Sequence, residues 1–168
     1  MENIFKRRSI RRYKDVKVED EKIEKLLRAA MQAPSAANQQ PWEFIVIQNK
    51  EKLLQLSQLS PYAKPVEHAP LAIVVLANED RMKFSENWEQ DLGAATQNIL
   101  LEAVGLGLGT VWLGVAPGEE RMNYIKEMFN LNENIKPYSV VAVGYPMLDG
   151  ENKFIDRFDE TRVHYENY

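Results

Sequence analysis

The chain has 168 residues, enough for one domain with a real core and too few for two full ones. Its composition is that of an ordinary globular protein, 45% apolar and 27% charged, and no apolar run approaches the ~20 residues that cross a bilayer, so no membrane partner is expected. Cysteine is absent, which excludes disulfides, thiol nucleophiles and CxxC zinc sites; the N-terminus also lacks the apolar stretch of a secretory signal, so a cytoplasmic location is expected.

The net charge of −4 is unevenly distributed. Residues 6–14 read KRRSIRRYK, six basic residues without an acid; the rest of the chain holds 15 basic against 25 acidic residues. A concentrated positive segment on an acidic chain marks a local anion site or a solvated arm, and argues against a broad nucleic-acid surface, which needs basic residues spread over one face. Arginine matches phosphate geometry with paired donors, so Arg7, Arg8, Arg11 and Arg12 around Ser9 could cradle a monophosphate.

Ile23, Leu26, Leu27, Ala30 and Met31 have helical spacing, behind an acidic first turn, and Pro34 ends that helix. The loop PSAANQQP follows at 34–41. Its small residues permit close approach and its amides, Asn38, Gln39 and Gln40, suit the edge of a planar heterocycle; an ordinary polar connection has the same composition. WEFIVIQ at 42–48 reads as a strand, and Leu53, Leu54 and Leu56 as a short helix. LAIVVLA at 71–77 is apolar on both faces and predicts a central, doubly covered strand.

A long helix is expected from about Glu86 to Leu106, with Trp88, Leu92, Ala95, Ile99, Ala103 and Leu106 in its stripe. Gly105, Gly107 and Gly109 follow it. The order helix, glycines, strand is the reverse of a dinucleotide fingerprint and fits a helix C-cap and tight turn. TVWLGV at 110–115 reads as a strand, Met122, Ile125 and Phe129 as a helix, and SVVAVGYP at 139–146 as a last buried strand. The tail, 147–168, carries Phe154, Phe158, Tyr165 and Tyr168 with no mate in its own stretch. The whole, residues 1–168, is expected to form one domain, a sheet with helices on both faces.

The chemical inventory is narrow. His68 and His164 stand alone, so no metal site is expected; no serine sits in a Gly-x-Ser-x-Gly elbow, and the carboxylates are scattered. No side chain is singled out as a catalytic acid, base or nucleophile.

Four segments together resemble the FMN-dependent nitroreductase family: RRSIRRY at 7–13, APSAANQQPW at 33–42, Gln97-Asn98 through GLGTVWLGV at 107–115, and GYP at 144–146 with a later arginine. The resemblance runs over nearly the whole chain. It implies an α+β fold, a three-layer α/β/α sandwich around a mainly antiparallel sheet, assembled as a domain-swapped homodimer whose tail wraps the partner. It implies FMN as cofactor, NADH or NADPH as reductant, and nitroaromatics, quinones or similar small molecules as acceptors in ping-pong turnover. Carried onto this sequence, Arg7, Arg8, Ser9 and Arg11 would bind FMN, Arg7 and Ser9 facing the phosphate and Arg11 the flavin pyrimidine. Pro34, Ser35, Ala36 and Asn38 would approach from the partner subunit, and Leu113 and Gly114 would present backbone to the flavin ring. Arg157, with Lys153, would close the phosphate site, and Lys64 is a further candidate. Dehalogenases and a flavin-fragmenting enzyme also resemble this family, and a non-catalytic phosphate- or nucleotide-binding protein would use the same arginines.

Overall fold

The computed structural model describes residues 2–168. Nine main elements run in the order α1 (Glu2–Lys6), α2 (Asp20–Met31), β1 (Trp42–Ile47), α3 (Lys50–Leu56), β2 (Leu71–Asn78), α4 (Trp88–Gly105), β3 (Gly109–Gly114), α5 (Glu119–Phe129) and β4 (Ile135–Gly144). The strands form one antiparallel sheet in the order β1-β2-β4-β3. The fold is α+β, with helices on both faces of the sheet.

The two-faced apolar strand is central, as its composition predicts: every residue of β2 from Leu71 to Ala77 is buried. Alternate side chains serve two cores. Ala72, Val74 and Leu76 pack with Leu53, Leu56 and Ile125 beneath α3 and α5. Ile73, Val75 and Ala77 pack with Leu26, Ala30, Leu92, Ile99 and Ala103 beneath α2 and α4. Asn98 donates to the Ala29 carbonyl at 2.9 Å and pins the two helices of that layer together.

The expected elements all form, with shifted ends. α4 starts at Trp88 because a single 3-10 turn, Ser85–Asn87, precedes it. Its end follows the C-cap reading: Gly107 takes φ +73, its N–H donates to Val104 O at 3.1 Å, and Leu108 N donates to Ala103 O at 2.7 Å. This is the paired closure of a Schellman cap, which needs a residue free of a Cβ penalty at positive φ.

β4 begins four residues before its expected start at Ser139. Pro137 hides the extension, since proline cannot donate to a ladder. The structure accommodates it at a bulge: Val75 pairs with Ser139 and Leu76 with Pro137, leaving Tyr138 as the extra residue. The freed Tyr138 carbonyl accepts from Val115 N and Ala116 N, both at 3.0 Å.

The root of the tail is held from outside its own stretch. Residues 152–155 do find a mate, the short α1, which sequence periodicity does not mark. Phe154 stacks on Phe5 with centroids 5.1 Å apart, Ile155 N donates to Phe5 O at 3.2 Å, and Asn152 donates to Leu108 O at 3.2 Å. Beyond that point Phe158 (76%) and Tyr165 (84%) stand exposed.

Candidate functional site

The basic segment is laid along the sheet edge. Ser9 bridges Thr110 in parallel, and Ile10 N donates to Thr110 O at 2.8 Å, adding a short strand-like arm beside β3. Ile10 and Tyr13 are buried and anchor it, the Tyr13 hydroxyl donating to Ile10 O at 2.6 Å. Burial pushes the Tyr13 phenol far up; the Arg11 charge opposes this weakly. With Ile10 and Tyr13 turned inward, the four arginines do not converge on one point, as a single cradle around Ser9 would require.

Arg7 and Arg8 line one cleft, of about 360 Å³, together with Gln97 of α4 and Arg157 of the tail. The docking of residues 152–155 on α1 is what brings Arg157 there. Arg8 donates to Arg7 O at 2.5 Å, but its Nε and Nη2 are buried without a partner. Desolvation first, then repulsion by Arg157 and Arg7, holds the Arg8 guanidinium below its ordinary range. Three arginines gathered here, with two orphaned donors on Arg8, suit an anion.

Arg11 lines a second cleft of about 650 Å³, with Lys64, Trp112, Leu113, Gly114 and Arg121. A methyl group placed on Gly114 would meet nothing within 4 Å, so this strand end offers bare backbone to the cleft. The two clefts therefore stand at either end of one arm: orphaned donors for an anion in the first, an open backbone face beside a cation in the second. That is the donor set a phosphorylated planar heterocycle such as FMN requires, and these residues fit it.

The loop 34–38 lines neither cleft. It is a single 3-10 turn with Ala37 and Asn38 at positive φ, held from behind. Asp91 accepts from Ala36 N at 2.9 Å and from Gln39 Nε2 at 2.6 Å; Gln39 Oε1 accepts from Lys83 N and Phe84 N at 2.8 and 2.9 Å. Gln39, one of three amides whose composition suits either a heterocycle edge or a plain connection, is thus a buried structural amide, while Asn38 and Gln40 are exposed. Lys153 is exposed and lines neither cleft. Arg121 was not singled out from sequence; a lone arginine in the first turn of α5 carries no motif.

Among the described residues no group of three or more metal-ligating side chains comes together, and no helix is long and apolar enough to cross a membrane.

Residues 4–65 and 57–145 match the model of the nitroreductase family, and the chain belongs to that family of oxidoreductases. A provisionally named NADH dehydrogenase/NAD(P)H nitroreductase of Archaeoglobus fulgidus is 47% identical over 98% of this chain and 96% of its own. Among solved structures, a provisionally named NADH oxidase from Clostridium acetobutylicum superposes with a TM-score of 0.96 at 64% identity, covering 99% of both chains. An FMN-dependent nitroreductase from Clostridium difficile superposes at 0.90 with 35% identity over the full length of both.

Proposed function

We propose that this chain is an FMN-dependent NAD(P)H oxidoreductase that reduces nitroaromatic, quinone or similar small acceptors at a site shared between two subunits. The observation that carries the reading is the buried, unpartnered Arg8 donors beside Arg7 and Arg157, at the far end of the same arm that places Arg11 beside the open backbone of Gly114. When bound, FMN supplies the ring that takes hydride from a reduced nicotinamide and passes electrons to an acceptor.

Each residue then has a task. Arg7, Arg8, Ser9 and Arg157 hold the phosphate, relieving the repulsion within the cationic cluster. Arg11 sets a positive charge at the pyrimidine edge, where negative charge grows on reduction. Leu113 and Gly114 offer backbone to the ring without a side chain in the way. The loop carrying Pro34, Ser35, Ala36 and Asn38 lies outside its own chain's clefts, so it serves a partner's flavin. No dinucleotide fingerprint stands elsewhere in the sequence, and reductant and acceptor take turns in one cleft.

Assembly is part of the proposal. The chain exposes 10119 Å² at 19.4 kDa, where a compact monomer of that mass exposes about 8,500 Å². The excess matches a tail that ends in exposed aromatics, and a homodimer covers such a surface. The test is reconstitution. The purified protein should bind FMN at one per chain, bleach under NADH or NADPH, recover on adding a quinone, and give parallel double-reciprocal lines. A colourless protein that takes up no FMN would make this a different kind of anion-binding protein; intersecting lines would mean simultaneous occupancy.

A further inference from the structure

Resting on that reading, we propose that Arg121 selects what enters the Arg11 cleft, favouring electron donors and acceptors that carry an anionic group beside their planar reacting ring. The charge of the cleft is one-sided. Arg11, Lys64 and Arg121 line it and no carboxylate does; Glu120 lines only the adjoining depression, with Lys64 and Arg121. Among the described residues none of these three cations forms a salt bridge.

Arg121 is placed at a cost that helix stability does not repay. It is the third residue of α5, at the positive end of the helix, where a cation is disfavoured; Glu119 and Glu120 already serve that end. It is nevertheless held. Its Nε donates to Val115 O at 3.2 Å, and its guanidinium lies across Gly118, where a methyl group would stand 2.5 Å from Nη2 and 2.7 Å from Cζ. Gly118 has an ordinary φ of −74, open to any residue, so its bareness makes room for the guanidinium.

The cofactor phosphate does not account for this arginine. The cleft assigned to that phosphate shares no lining residue with the one holding Arg121. With Arg11 taken by the flavin pyrimidine, Arg121 is left for the molecule that arrives, and Tyr62 (82% exposed) and the half-buried Trp112 supply flat surfaces for its ring. A guanidinium without a protein counter-charge binds a carboxylate or phosphate through paired donors. Since one cleft serves both half-reactions, the same arginine selects reductant and acceptor.

The test uses the FMN-loaded protein and two matched pairs: 4-nitrobenzoate against 4-nitrobenzamide as acceptors, and reduced nicotinamide mononucleotide against reduced nicotinamide riboside as donors. The wild type should favour the charged member of each pair by about tenfold or more in kcat/KM. Arg121→Gln should bring both ratios close to unity with flavin content retained. Gly118→Ala, which displaces the guanidinium but keeps its charge, should lower both ratios in part. Preference in one pair alone would restrict the role to that substrate and overturn the shared selection. A wild type that treats both pairs alike, or an Arg121→Gln variant that slows both members equally, would overturn the proposal. So would loss of FMN from that variant, which would make Arg121 a cofactor contact. Calorimetric titration with the two nitro compounds reads the preference without turnover; carboxylate preference in a protein that reduces neither compound would keep this inference and sink the redox reading.

Discussion

Gln39 donates through Nε2 to Asp91 Oδ2 at 2.6 Å, and this contact ties the loop before β1 to the first turns of α4. Both side chains are buried, at 6% and 4% exposure. The remaining capacity of each is spent on backbone: Asp91 on Ala36 N, Gln39 on Lys83 N and Phe84 N. The loop before β1 and the segment before α4 are thereby fixed to each other by a single amide–carboxylate pair.

Removing either partner leaves buried donors or a buried charge unpaired. Asp91→Ala and Gln39→Ala should each destabilise the fold by about 2–4 kcal/mol, the range for losing hydrogen bonds to a buried charged group. Because the two share one network, the double variant should cost less than the sum, with a coupling of about 1–3 kcal/mol. Urea unfolding of the four proteins measures this. Additive losses would mean that the two residues act separately.

This pair also marks where sequence reading reached its limit. PSAANQQP has the amides for ligand contact, and nothing in its composition distinguishes the inward Gln39 from the outward Asn38 and Gln40; only the meeting with Asp91, 52 positions away, decides it. The strands and long helices were legible because period 2 and period 3.6 patterns record burial directly. The order β1-β2-β4-β3 was not, since pairing between distant strands leaves no local mark. The same holds for the arginines: their number at 7–12 was plain, but the separation of Arg7 and Arg8 from Arg11 into two clefts, with Arg12 in neither, follows from Ile10 and Tyr13 turning into the core.

Arg8 offers a test of the phosphate cluster that separates binding from folding. In the free protein its guanidinium is desolvated and repelled by Arg157 and Arg7. Arg8→Gln should therefore leave thermal stability of the FMN-free protein unchanged or raised. FMN affinity should fall by tenfold or more, about 1.5–3 kcal/mol for a lost hydrogen bond to a charged group, while riboflavin, which lacks the phosphate, should bind nearly as before. Fluorescence titration with both flavins decides it; equal losses would remove Arg8 from the phosphate site.

Gly114 tests the second cleft in the same spirit. It is exposed at the end of β3, has no positive φ, and a methyl group there meets no protein atom within 4 Å. Gly114→Ala should be neutral or stabilising by up to about 1 kcal/mol, because alanine loses less backbone freedom on folding. If a flavin ring lies against this backbone, the added methyl occupies its space and FMN binding should drop despite the stable fold. Unchanged flavin affinity would place the ring elsewhere.

The proposed sharing of the site makes the sharpest expectation. Arg11 lines its own chain's cleft, and the loop carrying Asn38 lines none of that chain's clefts described above. If the loop serves the partner, Arg11→Ala and Asn38→Ala fail for different subunits' flavins. Each homodimer then has two defective sites. A mixed dimer of the two variants concentrates both defects in one site and leaves the other whole, with Arg11 from the Asn38→Ala chain and Asn38 from the Arg11→Ala chain. Co-expression with two affinity tags isolates that species. It should bind one FMN tightly and recover about half of the wild-type activity, given independent sites. If both residues served one subunit's flavin, every site in the mixed dimer would carry one defect. Activity would then equal the average of the parents, and the loop would not cross the interface.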